Sequence, residues 1–276
     1  MTRIDRRALF STGAAAALLA ATGVALEAAP KTGGTLRLAV PRDDSLDLIA
    51  RGALFDTLTE IGPDGALRGE LATSWQASPD ARIWTIDLRD DVLFHDGPAL
   101  QVTDVIKSLE NLHELNSIEA TGASQLRLEL VQGNPGLPFL LADAQCRIGP
   151  DGQVSGPLET AIGTGCYRAS QAQEDRHFRG TKQPSHYKQG QAGWIDQIEV
   201  IVIPDAAVRA EALRDGYVDV AALPQPEGLR ERAKFRYHPS ERDMALAIAG
   251  TVGMPRHINP RAVLDDGRIA ERWWML

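Results

Sequence analysis

His95 and Asp96 stand side by side ahead of Gly97. A histidine beside a carboxylate is the minimum from which acid–base or metal chemistry can be assembled. Neither is completed by the residues around it. One imidazole and one carboxylate leave a zinc site short of ligands, and His-Asp-Gly is equally a turn. His113-Glu114 opens like a zinc-protease helix, but the second histidine of H-E-x-x-H would fall at position 117, where Ser117 stands. The six histidines, at 95, 113, 177, 186, 238 and 257, keep no metal-ligand spacing. His177 and His186 lie in a polar stretch that reads as a solvated loop. No G-x-S-x-G elbow, C-x-x-C pair or P-loop occurs. Gly163-Thr164-Gly165 is a lone G-x-G that continues into neither a dinucleotide nor a phosphate motif. These patterns point away from an enzyme, and they imply no cofactor and no metal.

Bulk properties narrow the class further. The chain has 276 residues, 43% hydrophobic and 24% charged, as an ordinary globular protein does. That length holds one large domain or two small ones, with a sizeable core in either case. Net charge is −8. An acidic body with no basic stripe excludes nucleic acid and anionic membrane surfaces as natural partners.

Met1 to about Ala28 reads as a targeting segment. Arg6-Arg7 precede Leu9-Phe10 and an alanine-rich apolar run through Val24, and small residues flank possible cuts after Ala25 or Ala28. The paired arginines resemble a twin-arginine signal, with Asp5 where Ser or Thr is commoner. Serine, threonine and glycine interrupt the run, which disfavours a permanent membrane helix, and no cysteine follows either cut to take a lipid. The expected location is periplasmic. Cys146 and Cys166 would then meet an oxidising compartment. They form either a disulfide, if their α-carbons come within about 7 Å, or two separate half-buried thiols.

The elements that must position these residues follow from periodicity. Thr35–Val40 alternates as a half-buried strand and ends at Pro41. Leu46 to Leu58 carries apolar residues at near-helical spacing. Pro63-Asp64-Gly65 is a turn, followed by a strand with Trp84, Ile86 and Leu88 on one face. Thr103 is a candidate N-cap for a helix whose Val105, Ile106, Leu109 and Leu112 face a core. Leu126, Leu128 and Leu130 alternate with polar residues in another strand. Asn134-Pro135-Gly136 and Pro150-Asp151-Gly152 are breakers. Trp194–Ile203 is long and β-branched enough to be central in a sheet. Asp205 caps a helix from Ala206 to Arg214 that stops at Gly216, and Val218–Leu223 is the next strand. Strand, helix, strand is a βαβ crossover, which implies parallel pairing.

The stretch Asp64–Glu110 strings together Leu71-Ala72, Ser74-Trp75, Leu88-Arg89, Phe94-His95-Asp96-Gly97, Asp104-Val105 and Ser108-Leu109-Glu110. In that order it closely resembles the family 5 extracellular solute-binding proteins, the oligopeptide, dipeptide and nickel receptors of ABC importers. Leu54-Phe55-Asp56-Thr57-Leu58 and Ile195 to Asp205 extend the resemblance. So does Gly163-Thr164-Gly165-Cys166-Tyr167, where Cys166 replaces the family's proline. It covers about residues 33–235, with a further match at the end.

The resemblance implies an α/β, periplasmic-binding-protein-like (type II) lobe with a mixed, partly parallel sheet and an inserted smaller α+β subdomain. Residues 1–28 would be the signal, 29–240 the first lobe with the insert at about 55–158, and 241–276 a return segment. It implies the periplasmic solute-binding component of a peptide-type ABC transporter, with ABC permease subunits as partners. By position, Arg42, Asp43 and Asp44 after the first strand, and Thr164 and Tyr167 at the interlobe crossing, are the ligand-binding candidates. Arg42 suits a ligand carboxylate, and the two aspartates an amine.

Family members continue after a strand like Val218–Leu223 into a second lobe. Here Phe235–Pro239 leads almost directly to Met244–Leu246 and the closing Trp273-Trp274. The expectation is a truncated or degenerate receptor, one lobe without its partner. Ligand sites commonly bury on the order of 70–90% of the ligand, so one wall alone holds a solute weakly. The alternative is a single-lobe accessory or relic that binds a protein partner, or a second copy as a homodimer, through the face left by the missing lobe. Tyr167, Tyr237, Trp273 and Trp274 are the candidates for that face.

Overall fold

The computed structural model describes residues 32–62, 66–224, 229, 234–238 and 245–251. The leader, the Pro63-Asp64-Gly65 turn, Trp273 and Trp274, and the side chain of Tyr237 lie outside what is described.

Strand β1 (Thr35–Val40) sends Leu36, Leu38 and Val40 to one face and Ala39 to the other, the period-2 pattern of its sequence. Helix α1 (Ser45–Leu54) lays Leu46, Ile49, Ala50, Ala53 and Leu54 onto the first of these faces. The apolar spacing continues to Leu58, but the helix does not. Phe55 is extended, and Asp56 and Thr57 leave the helix for a buried polar network.

The chain then builds a smaller unit. β2 (Thr59–Ile61) pairs with β3 (Leu67–Gly69). A four-stranded antiparallel sheet follows in the order β4 (Ala72–Ala77), β5 (Ile83–Leu88), β7 (Gln125–Leu130), β6 (Leu115–Gly122). Trp84, Ile86 and Leu88 pack with Leu126, Leu128 and Leu130 on its inner face, against Val105 and Leu109 of α2 (Val102–Leu109). That helix is capped by Gln101, one position before the helix, and not by Thr103. The Asp104 carboxylate accepts the Gln101 N–H at 2.9 Å, so the reach-back carboxylate fixes the start. The short α3 (Leu137–Leu140) follows.

The remaining strands are β8 (Tyr167–Gln173), β9 (His177–Lys182), β10 (Gln197–Val202), β11 (Val220–Leu223), β12 (Phe235–His238) and β13 (Ala245–Ala249). With β1 they form a seven-stranded mixed sheet in the order β12-β13-β11-β1-β10-β9-β8. β1 runs parallel to both β10 and β11, and the other pairings are antiparallel. Helix α4 (Ala206–Arg214) connects β10 to β11, and the Asp205 carboxylate accepts the Ala207 and Val208 N–H groups at 2.7 and 3.2 Å. The two strands it joins are not neighbours, as a simple βαβ reading would have them. β1 lies between them, paired six residues deep with β10. α1 covers the Leu36–Leu38–Val40 face, and α4 covers the Ala39, Ala221 and Leu223 face through Ala210 and Leu213. No helix among the described residues is long and apolar enough to cross a membrane.

Candidate functional site

Because β1, β10 and β11 are parallel, their carboxyl ends share one edge of the sheet, where open α/β folds present ligand sites. Arg42, Asp43 and Asp44 leave β1 at that edge and are exposed. The Asp43 carboxylate accepts the Ser45 N–H at 2.9 Å, turning the chain into α1. Behind them Arg209 is 2% exposed. Its guanidinium donates to the carbonyls of Ala222 and Ile203 at 2.6 Å each and Pro204 at 2.9 Å, tying together the ends of β10 and β11. Burial lowers its pKa while Asp43 and Asp205 oppose that shift. An arginine stays protonated regardless, so a fixed positive charge underlies the edge.

Thr164 and Tyr167 sit elsewhere. Gly165 N–H donates to the Leu54 carbonyl at 2.9 Å, closing the carboxyl end of α1. A Cβ at Gly163 would fall 2.0 Å from the Leu54 oxygen, and one at Gly165 2.4 Å from the Ala53 oxygen. Both glycines are therefore required by close backbone approach. The Thr164 hydroxyl donates to Asp56 Oδ2 at 2.9 Å, and the Tyr167 hydroxyl to the Ile195 carbonyl at 3.0 Å. Both residues are interior, at 1% and 0% exposure. Tyr167 is thus core, and not part of an exposed face for a partner. Arg42–Asp44 and Gly163–Gly165 lie at opposite ends of the ten-residue α1. At 1.5 Å per residue the two groups are about 15 Å apart. The structure does not bring the two halves of the sequence-derived site into one contact set.

Two histidines grip the crossing instead. His95 Nε2 donates to the Gly165 carbonyl at 2.9 Å, and its Nδ1 accepts the Gly163 N–H at 3.3 Å. His186 Nε2 donates to the Thr164 carbonyl at 2.8 Å, and its Nδ1 accepts the Lys188 N–H at 3.1 Å. His186 is interior, not in a solvated loop, because residues 186–188 strap the smaller unit to the large sheet. Tyr187 packs into the smaller unit's core with the Arg89 guanidinium 4.8 Å above its ring. Lys188 pairs with Glu70 and, at 3.5 Å, with Glu60. His177 bridges to Glu199 at 2.7 Å across β9 and β10.

Cys166, His186 and Asp56 fall in line. Cys166 Sγ lies 3.5 Å from His186 Nδ1, and Asp56 Oδ2 lies 3.8 Å from Nε2. These are the members of a thiol-nucleophile triad. The arrangement works against that chemistry. The Nε2 proton goes to the Thr164 carbonyl and not to Asp56, and Cys166 is only 2% exposed. The cysteines are also not bonded to each other. Both are buried, Cys146 in the smaller unit's cluster and Cys166 in that of the large sheet.

Comparison with known proteins identifies the class. The profile of "Bacterial extracellular solute-binding proteins, family 5 Middle" matches residues 66–249, two thirds of the chain. This chain belongs to that family. The nickel-binding periplasmic protein of Escherichia coli K12 is 25% identical over 194 residues, covering 63% of this chain and 36% of the relative. Di/tripeptide-binding protein 2 of Pseudomonas aeruginosa is 26% identical, covering 90% and 55%. The periplasmic binding protein DppA of Helicobacter pylori, solved with the peptide STSA, superposes with a TM-score of 0.64 at 21% identity, covering 75% of this chain and 50% of that one. The fold is that of a type II periplasmic binding protein, and the chain spans about a third to a half of the length of these relatives.

In this family 5 protein sequence reasoning read His95 as part of a turn and His186 as part of a solvated loop, and it did not pick out Asp56, Glu70, Lys188 or Arg209. One signal was present. Asp56 sits between Phe55 and Leu58 at the end of an apolar run, and Arg209 lies beside Ala210 near Leu213. A charged residue in such company must be paired.

Proposed function

We propose that this chain serves as the periplasmic solute-binding component of a peptide-type ABC importer and presents a peptide-like solute to the permease subunits. The observation that carries this reading is the shared carboxyl edge of β1, β10 and β11, where Arg42, Asp43 and Asp44 are exposed and Arg209 fixes the backbone beneath them. Arg42 meets the solute carboxylate, and Asp43 or Asp44 its amine. Thr164 and Tyr167 act at one remove, by holding the crossing at the far end of α1. The leader through Ala28 exports the chain, and its Arg6-Arg7 pair directs a twin-arginine route. Membership of the family and the peptide-binding relative support this reading.

The test is thermal shift of the exported protein with a panel of di- and tripeptides, with nickel plus histidine included because a nickel-binding relative is among the matches. A solute at 100 times its Kd stabilises by about 2.7 kcal/mol, a shift of several degrees. Arg42→Ala and the Asp43→Asn, Asp44→Asn pair should abolish it. No shift with any member of the panel contradicts the proposal.

A further inference from the structure

The crossing at Gly163–Gly165 is held by groups whose hydrogen-bonding sense reverses on protonation. His95 reaches it from the turn before α2, and His186 from the strap after β9. Each imidazole is wired as the neutral Nε2–H tautomer, because its Nε2 faces a carbonyl and its Nδ1 faces a backbone N–H. A proton on His95 Nδ1 would set one donor against another, N–H against the Gly163 N–H. The His95 N–H also donates to the Gly163 carbonyl at 3.0 Å, so both backbone groups of Gly163 depend on this one residue.

We propose that His95, backed by His186, is a proton-operated latch on the crossing, and that protonating His95 releases Gly163–Gly165 from α1 while both sheets stay folded. The charged groups that face it come from three elements. Asp56, in the segment after α1, favours the imidazolium; His186 on the strap and Arg168 on β8 oppose it. Burial of the ring opposes it more than any of these, and the net result is a pKa below the usual histidine value. His186 meets Asp56 at 3.8 Å, the Cys166 thiol at 3.5 Å and the Tyr187 ring, and it also bears on Asp91. The release frees the Leu54 carbonyl and loosens the join between the smaller unit and the large sheet without touching the β1–β10 register.

Amide hydrogen exchange on the full exported chain, with no solute added, tests this. Rates are corrected for the intrinsic pH dependence of exchange. Between pH 7.5 and 5.0 the protection of Gly163 and Gly165 should fall at least about tenfold, while Ile198 and Val200 in β10 change less than about twofold. His95→Gln, whose amide can donate and accept in the same two directions, should keep the protection and lose its pH dependence. Constant protection of Gly163 and Gly165 in the wild type would overturn the latch. So would a parallel loss in β10, which is global unfolding. If the glutamine variant fails to fold, the 15N shifts of the wild-type His95 ring decide. They must show unprotonated Nδ1 at pH 7.5 and protonation in step with the loss of Gly163 protection.

Discussion

The Thr164 hydroxyl donates to the Asp56 carboxylate at 2.9 Å, joining two points 108 residues apart in the chain. Asp56 leaves the large sheet with the chain, and Thr164 returns with it, so this bond closes the neck of the smaller unit. Asp56 is 0% exposed, and its own carbonyl accepts the Ile148 N–H at 2.9 Å. Thr164→Ala should cost about 1–3 kcal/mol, because a buried carboxylate loses a donor that water cannot replace. Thr164→Ser should recover most of it. Urea denaturation of the three proteins measures the difference, and equal midpoints would show that the bond contributes nothing.

Much of the fold was legible because its signals are local. Leu36-Leu38-Val40 on β1, Trp84-Ile86-Leu88 on β5 and Leu126-Leu128-Leu130 on β7 each declare a strand by alternation, and all are buried as expected. The Asp205 cap and the Gly216 stop delimit α4 in the same way, with Gly216 at φ +79°. That Arg42, Asp43 and Asp44 form an exposed loop at the end of β1 was legible from Pro41 and the residues that follow it. The crossing was not. His95, Thr164 and His186 meet through pairings 70, 68 and 22 residues apart, which leave no periodic trace in sequence. The early end of α1 has the same origin, since Asp56 and Thr57 are drawn into that network although Leu58 keeps the helical spacing.

Arg209 should be the most sensitive residue near the exposed edge. Removing it leaves the Ala222, Ile203 and Pro204 carbonyls without their shared donor. Arg209→Ala should destabilise by about 3 kcal/mol or more, and Arg209→Lys by less, since an ammonium keeps a donor for some of these carbonyls although it cannot span the fork. Thermal unfolding provides the ranking. Wild-type stability in the alanine variant would remove Arg209 as the brace of that edge.

Glu199 predicts part of the acid limb of stability. Burial would raise its pKa, but hydrogen bonds from His177 and Arg179 at 2.7 and 2.8 Å outweigh it and hold the carboxyl below its ordinary 4.5. A depressed folded pKa contributes stability in full above the unfolded value and loses it as pH falls through the folded one. Glu199→Gln should lower stability at pH 6 and flatten the decline below about 4.5. Urea midpoints from pH 6 down to 3 check this, and an unchanged slope in the variant would contradict it.

Both thiols should be silent in the native protein. Burial, assisted by Asp143 and Glu114, pushes Cys146 up to about 12, and Cys166 is enclosed beside His186. An aromatic disulfide reagent at pH 8 should label neither cysteine until denaturant is added, and then both. An intact mass lighter by two hydrogens, from protein isolated without reductant, would instead show that the two are joined.

A solute bound as proposed at the carboxyl edge of β1, β10 and β11 leaves its footprint there. Hydrogen exchange read by mass spectrometry, with and without a saturating tripeptide mixture, measures this directly. Slower exchange confined to residues 41–46 and 203–207, lost in Arg42→Ala, is the predicted result. A footprint on the four-stranded sheet or at the Gly163–Gly165 crossing, with none at residues 41–46, would contradict it.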